Sequence, residues 1–194
     1  MIFNRFVFLF LVLQYTSLLG QTTAVNDTLG QYFKDKLISF QRSNLDSAVI
    51  YAENGIEWAK SKENPIHQID IIMLLAEAYY FNNQREKSFD YLTSALEKCE
   101  ENSLYFEKID VLYTIGLHYS RSSRMRDQSF DTSRLHLALE YHDKAIKLSE
   151  QFKNLTKASK GYNLSGAIFD RLGKNDMAIR YYQISENYSR QEND

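Results

Sequence analysis

The stretch Tyr162 to Tyr188, YNLSGAIFDRLGKNDMAIRYYQISENY, decides the fold. Tyr162, Ser165, Gly166 and Phe169 fall at i, i+3, i+4 and i+7, one face of a helix. Gly173, Lys174 and Asn175 break that pattern, and a second helical segment follows with Ala178, Tyr182 and Ser185 on its inner side. Gly166 and Ala178 give up side-chain volume so that two antiparallel helices can approach closely, and Tyr162, Phe169 and Tyr182 fill the space beside the contact. A single hairpin cannot bury its apolar face, so the pattern predicts neighbours of the same kind.

The rest of the chain supplies them. After a polar connection, 21–27, apolar residues recur at Leu29, Tyr32, Phe33, Leu37 and Phe40, and a partner segment starts behind the N-cap Asn44. Asn64-Pro65 opens the next helix, with Ile69, Ile72, Leu75, Ala76 and Tyr79 as its inner stripe. Asn82-Asn83 closes it, and Ser88, Leu92, Ala95, Leu96 and Cys99 follow on the return helix. A third pair opens near Ser103 and carries Leu112, Ile115, Gly116 and Tyr119, then Ala138, His142, Ala145 and Leu148. Asn154 caps the fourth. The small residue early in each second helix falls at Ala48, Ser88, Ala138 and Ala178, a spacing of 40, 50 and 40 residues. The third unit is therefore a 40-residue repeat with ten residues inserted in its turn, the polar tract Ser120 to Ser133. The expected architecture is all-α: four antiparallel hairpins over 28–191, divided near 28–62, 64–101, 103–152 and 154–191.

These anchors resemble the tetratricopeptide repeat, W-x2-L-G-x2-Y, then A-x3-F, then P, over 34 residues. The fourth unit keeps Gly166, Phe169, Ala178 and Tyr182; the third keeps Gly116, Tyr119, Ala138 and Ala145, with His142 where an aromatic is usual. The second keeps Tyr79 and Ala95, with Ala76 for Gly and Ser88 for Ala. The closing proline is missing and the 40-residue period exceeds the family's 34, so the chain is similar to the longer-helix variants of the family. The resemblance implies a right-handed superhelical solenoid.

Composition bounds the function. Seven glycines and one proline among 194 residues, with 14 tyrosines and 12 phenylalanines, suit closely spaced helix pairs. A formal charge of −2 gives no argument for nucleic acid or an anionic membrane surface. The segment 1–20 reads as a secretory signal peptide: Arg5 is its one basic side chain, and Phe6 to Leu13 is an unbroken apolar run. A spanning helix would want ~20 mostly apolar residues, so no membrane insertion is expected once the leader is removed. The expected location is secreted or periplasmic in a bacterium, where Cys99 would be an unpaired thiol. Its place four residues after Ala95 predicts burial. No two of His67, His118, His136 and His142 have the helical i, i+4 metal spacing, and no phosphate loop or nucleophile arrangement is visible, so neither enzyme activity nor a cofactor is expected.

The resemblance implies that the first helix of each pair builds a concave wall that binds an extended peptide or a partner helix. The positions that would point into it are Asp70, Met73, Leu74, Glu77, Tyr80 and Phe81 in the second unit. In the third they are Asp110, Tyr113, Thr114, Leu117 and Arg121, and in the fourth Lys160, Asn163, Ala167, Asp170 and Arg171. Lys160, Asn163 and Arg171 form a weak version of a carboxylate clamp; a solvated helix face is the alternative for each. The tract Ser120 to Ser133 is either a basic loop reaching a partner or a flexible turn with its arginines balanced by Asp127 and Asp131. Two functions remain open: an exported scaffold for a protein or peptide, and the sensory repeat domain of a membrane-bound kinase or transcription regulator. Met177, Tyr181, Tyr182 and Tyr188 on the last helix have no capping helix in the pattern. That predicts pairing with another copy, a partner or a further domain.

Overall fold

A computed structural model describes residues 28–125 and 127–193. The leader expected at 1–20 and the connection at 21–27 lie outside the described residues. Eight helices follow in order among the described residues: α1 (28–40), α2 (Leu45–Ser61), α3 (Pro65–Phe81), α4 (Arg85–Glu101), α5 (Tyr105–Ser122), α6 (Thr132–Gln151), α7 (Leu155–Arg171) and α8 (Asn175–Asn193). They pair as four consecutive antiparallel hairpins, an all-α stack.

The connectors explain the regularity. Asn44, Asn64 and Asn154 accept from the backbone N–H three residues on, and Asp131 does the same for α6 through Ser133 and Arg134. Five connectors share one three-residue design whose middle residue is left-handed: Glu63 (φ 51°), Asn83 (59°), Ser103 (56°), Lys153 (53°) and Gly173 (70°). In each, the next residue's N–H returns to a helix carbonyl five residues back, as Asn64 to Ala59 and Lys174 to Phe169 do, at 3.0 and 2.9 Å. This six-to-one bond ends one helix, and the residue that makes it begins the next. The same joint five times over gives the same reversal each time.

Inside each hairpin one aromatic pair recurs: Phe40 with Tyr51, Tyr79 with Tyr91, Tyr119 with Tyr141, and Phe169 with Tyr181, ring centroids 5.7, 5.2, 5.7 and 4.8 Å apart. Such contacts add ~0.5–1.5 kcal/mol each beyond area burial. Gly116 and Gly166 make room for His142 and Tyr182: a Cβ at Gly166 would lie 2.8 Å from the Tyr182 ring, and one at Gly116 would overlap His142. The close crossing expected from the sequence is thus present in both hairpins. The core runs from hairpin to hairpin rather than collecting at one centre, with α3, α4 and α5 sharing Ile69, Ile72, Leu92, Ala95, Val111 and Ile115. Cys99 belongs to that core, and burial pushes its thiol up to about 12.

The inserted turn is shorter than its sequence suggests. Ser120 and Ser122 belong to α5 and Thr132 to α6, leaving 123–131. A backbone bridge joins Arg124 and Phe130, and Asp131 N–H reaches Ser123 O at 2.7 Å. Asp131 pairs with Arg134 and Asp127 accepts from Ser129. These bonds close the turn, and neither carboxylate is seen pairing with Arg121 or Arg124. The expected balancing of the arginines by these two carboxylates is corrected on this point.

Candidate functional site

Stacking sets which side chains can meet a ligand. The first helices touch one another along the array, α3 with α5 and α5 with α7, while α2, α4, α6 and α8 make no such contacts among themselves. The first helices therefore line the tighter side of the stack. On that side Lys34 of α1, Asp70, Met73, Leu74 and Glu77 of α3, and Thr114 of α5 surround an open depression of about 280 Å³. Met73 and Leu74 also pack against the cores beneath, so their exposed parts form a fixed apolar floor. Lys34 bridges α1 to α3 through Asp70 at 3.1 Å.

The other candidates divide by what already holds them. Tyr113 is fully buried, its hydroxyl donating to Lys157 O at 2.6 Å, and burial pushes its phenol up to about 12. It belongs to the core, which corrects its assignment to the wall. The cause lies in the next hairpin. Gly161 occupies the repeat position of Ile71 and Val111, and a Cβ there would overlap the Tyr113 hydroxyl. Asp110 is paired with Lys157 at 2.7 Å. Arg171 donates to the hydroxyl and carbonyl of Ser120 and lies over the Phe130 ring, so it fastens α7 to the end of α5. Phe81 is half-buried under the Arg42 guanidinium, 4.0 Å from the ring centroid. Tyr80 stacks on His118 at 4.3 Å, and burial raises its phenol. Arg121, Lys160, Asn163 and Asp170 are exposed, with Leu117 and Ala167 half-buried between them. Lys160 lies over the Tyr113 ring at 5.3 Å. With Arg171 tied to Ser120, the clamp expected from Lys160, Asn163 and Arg171 loses one of its three donors.

The sequence pattern points to Tyr182 and His142 as the ring positions of the return helices, whereas the ring that recurs in every hairpin is Tyr51, Tyr91, Tyr141 and Tyr181. Its signal is plain in the chain: tyrosines spaced 40, 50 and 40 apart, the spacing of Ala48, Ser88, Ala138 and Ala178.

At the far end, Tyr181 packs on Phe169 and Tyr162, and Tyr188 stacks on Tyr162 at 5.5 Å and donates to Glu150. Both are held within the last two hairpins, contrary to their expected place on the uncovered face. The uncovered side chains of α8 are Ile179, 56% exposed, and Tyr182, 38%. They stand at the repeat positions of Phe89 and Leu139 (for Ile179) and of Leu92 and His142 (for Tyr182). Of these, Phe89 packs on His118 and Tyr119 of the following hairpin, and Leu92 shares a core with its Val111 and Ile115.

His118 and His142 are buried imidazoles. The Nδ1 of His118 lies 3.0 Å from the Ser88 hydroxyl, whereas its Nε2 has no hydrogen-bond partner among the described residues, and the His142 ring faces the Tyr113 backbone. Burial lowers both rings to about 4, keeping them neutral at pH 7. Among the described residues no group of His, Cys, Asp and Glu is arranged to hold a metal ion, and no helix is long and apolar enough to cross a membrane.

No protein-family model matches the chain, and no curated protein matches it either. Solved structures do. The aspartyl phosphate phosphatase F of Bacillus subtilis superposes on 85% of this chain with a TM-score of 0.69 at 22% identity. BtubC (BKLC) of P. vanneervenii superposes on 87% with a TM-score of 0.64 at 15% identity. This chain spans 41% of the length of the first and 66% of the second. The likeness is one of fold: an all-α stack of consecutive antiparallel helical hairpins.

Proposed function

We propose that this protein is a non-catalytic scaffold, exported to the periplasm or the cell exterior, that holds a peptide or protein segment on the wall of its first helices. The observation that carries the reading is the depression between α1, α3 and α5, where Met73 and Leu74 offer apolar surface between Asp70 and Glu77. Three helices from three hairpins contribute to it, and a stack of fixed joints holds such a surface without reorganisation on binding. The apolar run Phe6 to Leu13 supports the export half.

Selection of displayed random dodecapeptides on the whole chain tests it. Binders are expected, and their affinity should fall about tenfold or more in Leu74→Asp and in Thr114→Lys. Failure to recover any binder, or binders indifferent to both changes, contradicts the reading. For export, the mature form should appear in the periplasm or medium, and retention in the cytoplasm contradicts it.

The exposed Ile179 and Tyr182 favour a second contact, between α8 and another copy or a further domain, the arrangement a sensory front end would also use. Light scattering over a concentration series should show a dimer that Ile179→Asp abolishes. A monomer at every concentration contradicts self-association.

A further inference from the structure

The chemistry of the depression says more than that something apolar sits in it. Asp70 and Glu77 lie seven residues apart on α3, about 10 Å along the helix, with Met73 and Leu74 between them. Lys34 answers Asp70 at 3.1 Å. Glu77 has no ion-pair partner among the described residues and is the unanswered charge of the depression. The fold does not ask for a carboxylate there, since the same repeat position holds Leu117 in α5 and Ala167 in α7. A volume of about 280 Å³ is just under the ~300–1,000 Å³ of sites for drug-sized ligands, so it suits one or two side chains of a longer partner.

We infer that the occupant is a peptide segment presenting an apolar side chain next to a lysine or arginine, the apolar group on Met73 and Leu74 and the cation on Glu77. This rests on the peptide-binding reading given above. A thioether beside a leucine accepts apolar side chains of several shapes, so the floor selects for size more than for identity. The cation supplies direction and partner choice through a charge-assisted hydrogen bond. An acidic segment would bring a like charge to Glu77 and is rejected.

The test uses the same display library of random dodecapeptides on the whole chain. Recovered peptides should be enriched in Lys and Arg within a few residues of Leu, Met or Ile. Their affinity should fall about tenfold in Glu77→Gln and further in Glu77→Lys, and should weaken as salt rises. Selection on Glu77→Lys should swing the enrichment toward Asp and Glu. Circular dichroism of both variants excludes loss of fold as the cause. Recovered peptides that are neutral or acidic, yet still lost in Leu74→Asp, overturn this inference and leave the binding wall standing. Recovery of no peptide, or of peptides indifferent to both Leu74→Asp and Thr114→Lys, overturns both.

Discussion

The tighter side of the stack is built from one repeat position after another, yet α3 and α5 use those positions differently. Position 73 is Met73, half-exposed on the floor of a depression; its counterpart Tyr113 is fully buried with its hydroxyl on Lys157 O. Position 77 carries the unpaired Glu77 and then the half-buried Leu117. The last position of the row, Phe81, Arg121 and Arg171, goes from a ring under Arg42, to an exposed cation, to a clasp on Ser120. In the second hairpin Met73 and Glu77 line the open depression; in the third and fourth Tyr113 and Arg171 hold the array together. A repeat position fixes where a side chain starts, and the neighbouring hairpin decides where it ends.

The third hairpin should consequently be the pH-sensitive part. His118 and His142 stand where the second hairpin has Ala78 and Leu92. Both are held at about 4 in the folded chain against an ordinary value of 6.5. The unfolded chain then binds more protons between those values, so stability is complete above pH 6.5 and is lost as pH falls toward 4. The effect is on the order of 3 kcal/mol per ring at most. Urea unfolding at pH 7 and pH 4.5 should show this loss, with His142→Leu removing about half of the His contribution. An unchanged pH dependence in that variant breaks the comparison.

Next in size is the contact that turned Tyr113 inward. Gly161→Val should lower stability by ~1–3 kcal/mol or more, because the new methyls meet the Tyr113 hydroxyl and Ile146. Combining it with Tyr113→Ala should recover part of the loss in a double-mutant cycle, and strict additivity would deny the pairing. Tyr113→Phe, which removes only the hydroxyl, should cost ~1 kcal/mol by thermal unfolding. The smallest effect concerns the joints. Lys153 and Gly173 occupy the same left-handed position, so Lys153→Gly should raise stability by about 0.5–1 kcal/mol and Gly173→Lys should lower it by a similar amount. No gain from Lys153→Gly would show the backbone to be unstrained at Lys153.

Much of this fold is legible in the sequence because it rests on local signals. The caps Asn44, Asn64 and Asn154, the breaks at Asn82-Asn83 and Gly173, and the glycines 116 and 166 each act within a turn or across one hairpin. The wall is only partly legible. Asp70, Met73, Leu74, Glu77 and Thr114 do surround one depression, as their register implies. Tyr113 and Arg171 could not be read the same way, since their partners Gly161 and Ser120 lie 48 and 51 residues off in another hairpin. Nor could Tyr181 and Tyr188, whose spacing on α8 does not reveal that Tyr162 lies opposite them.

The methionines give the most direct test of whether the second hairpin carries the ligand surface. The chain has four: Met1, which lies outside the described residues, Met73 in the depression, Met125 in the inserted turn and Met177 on the last helix. Methyl-labelled methionine can therefore be followed by NMR while a display-selected peptide is titrated in. The account predicts that the Met73 methyl resonance shifts and saturates with the binding curve, with Met125 and Met177 unmoved. A Met73 signal that stays in place while the Met125 or Met177 signal moves would contradict it, and would send the search for the partner to the inserted turn or the uncovered face of α8.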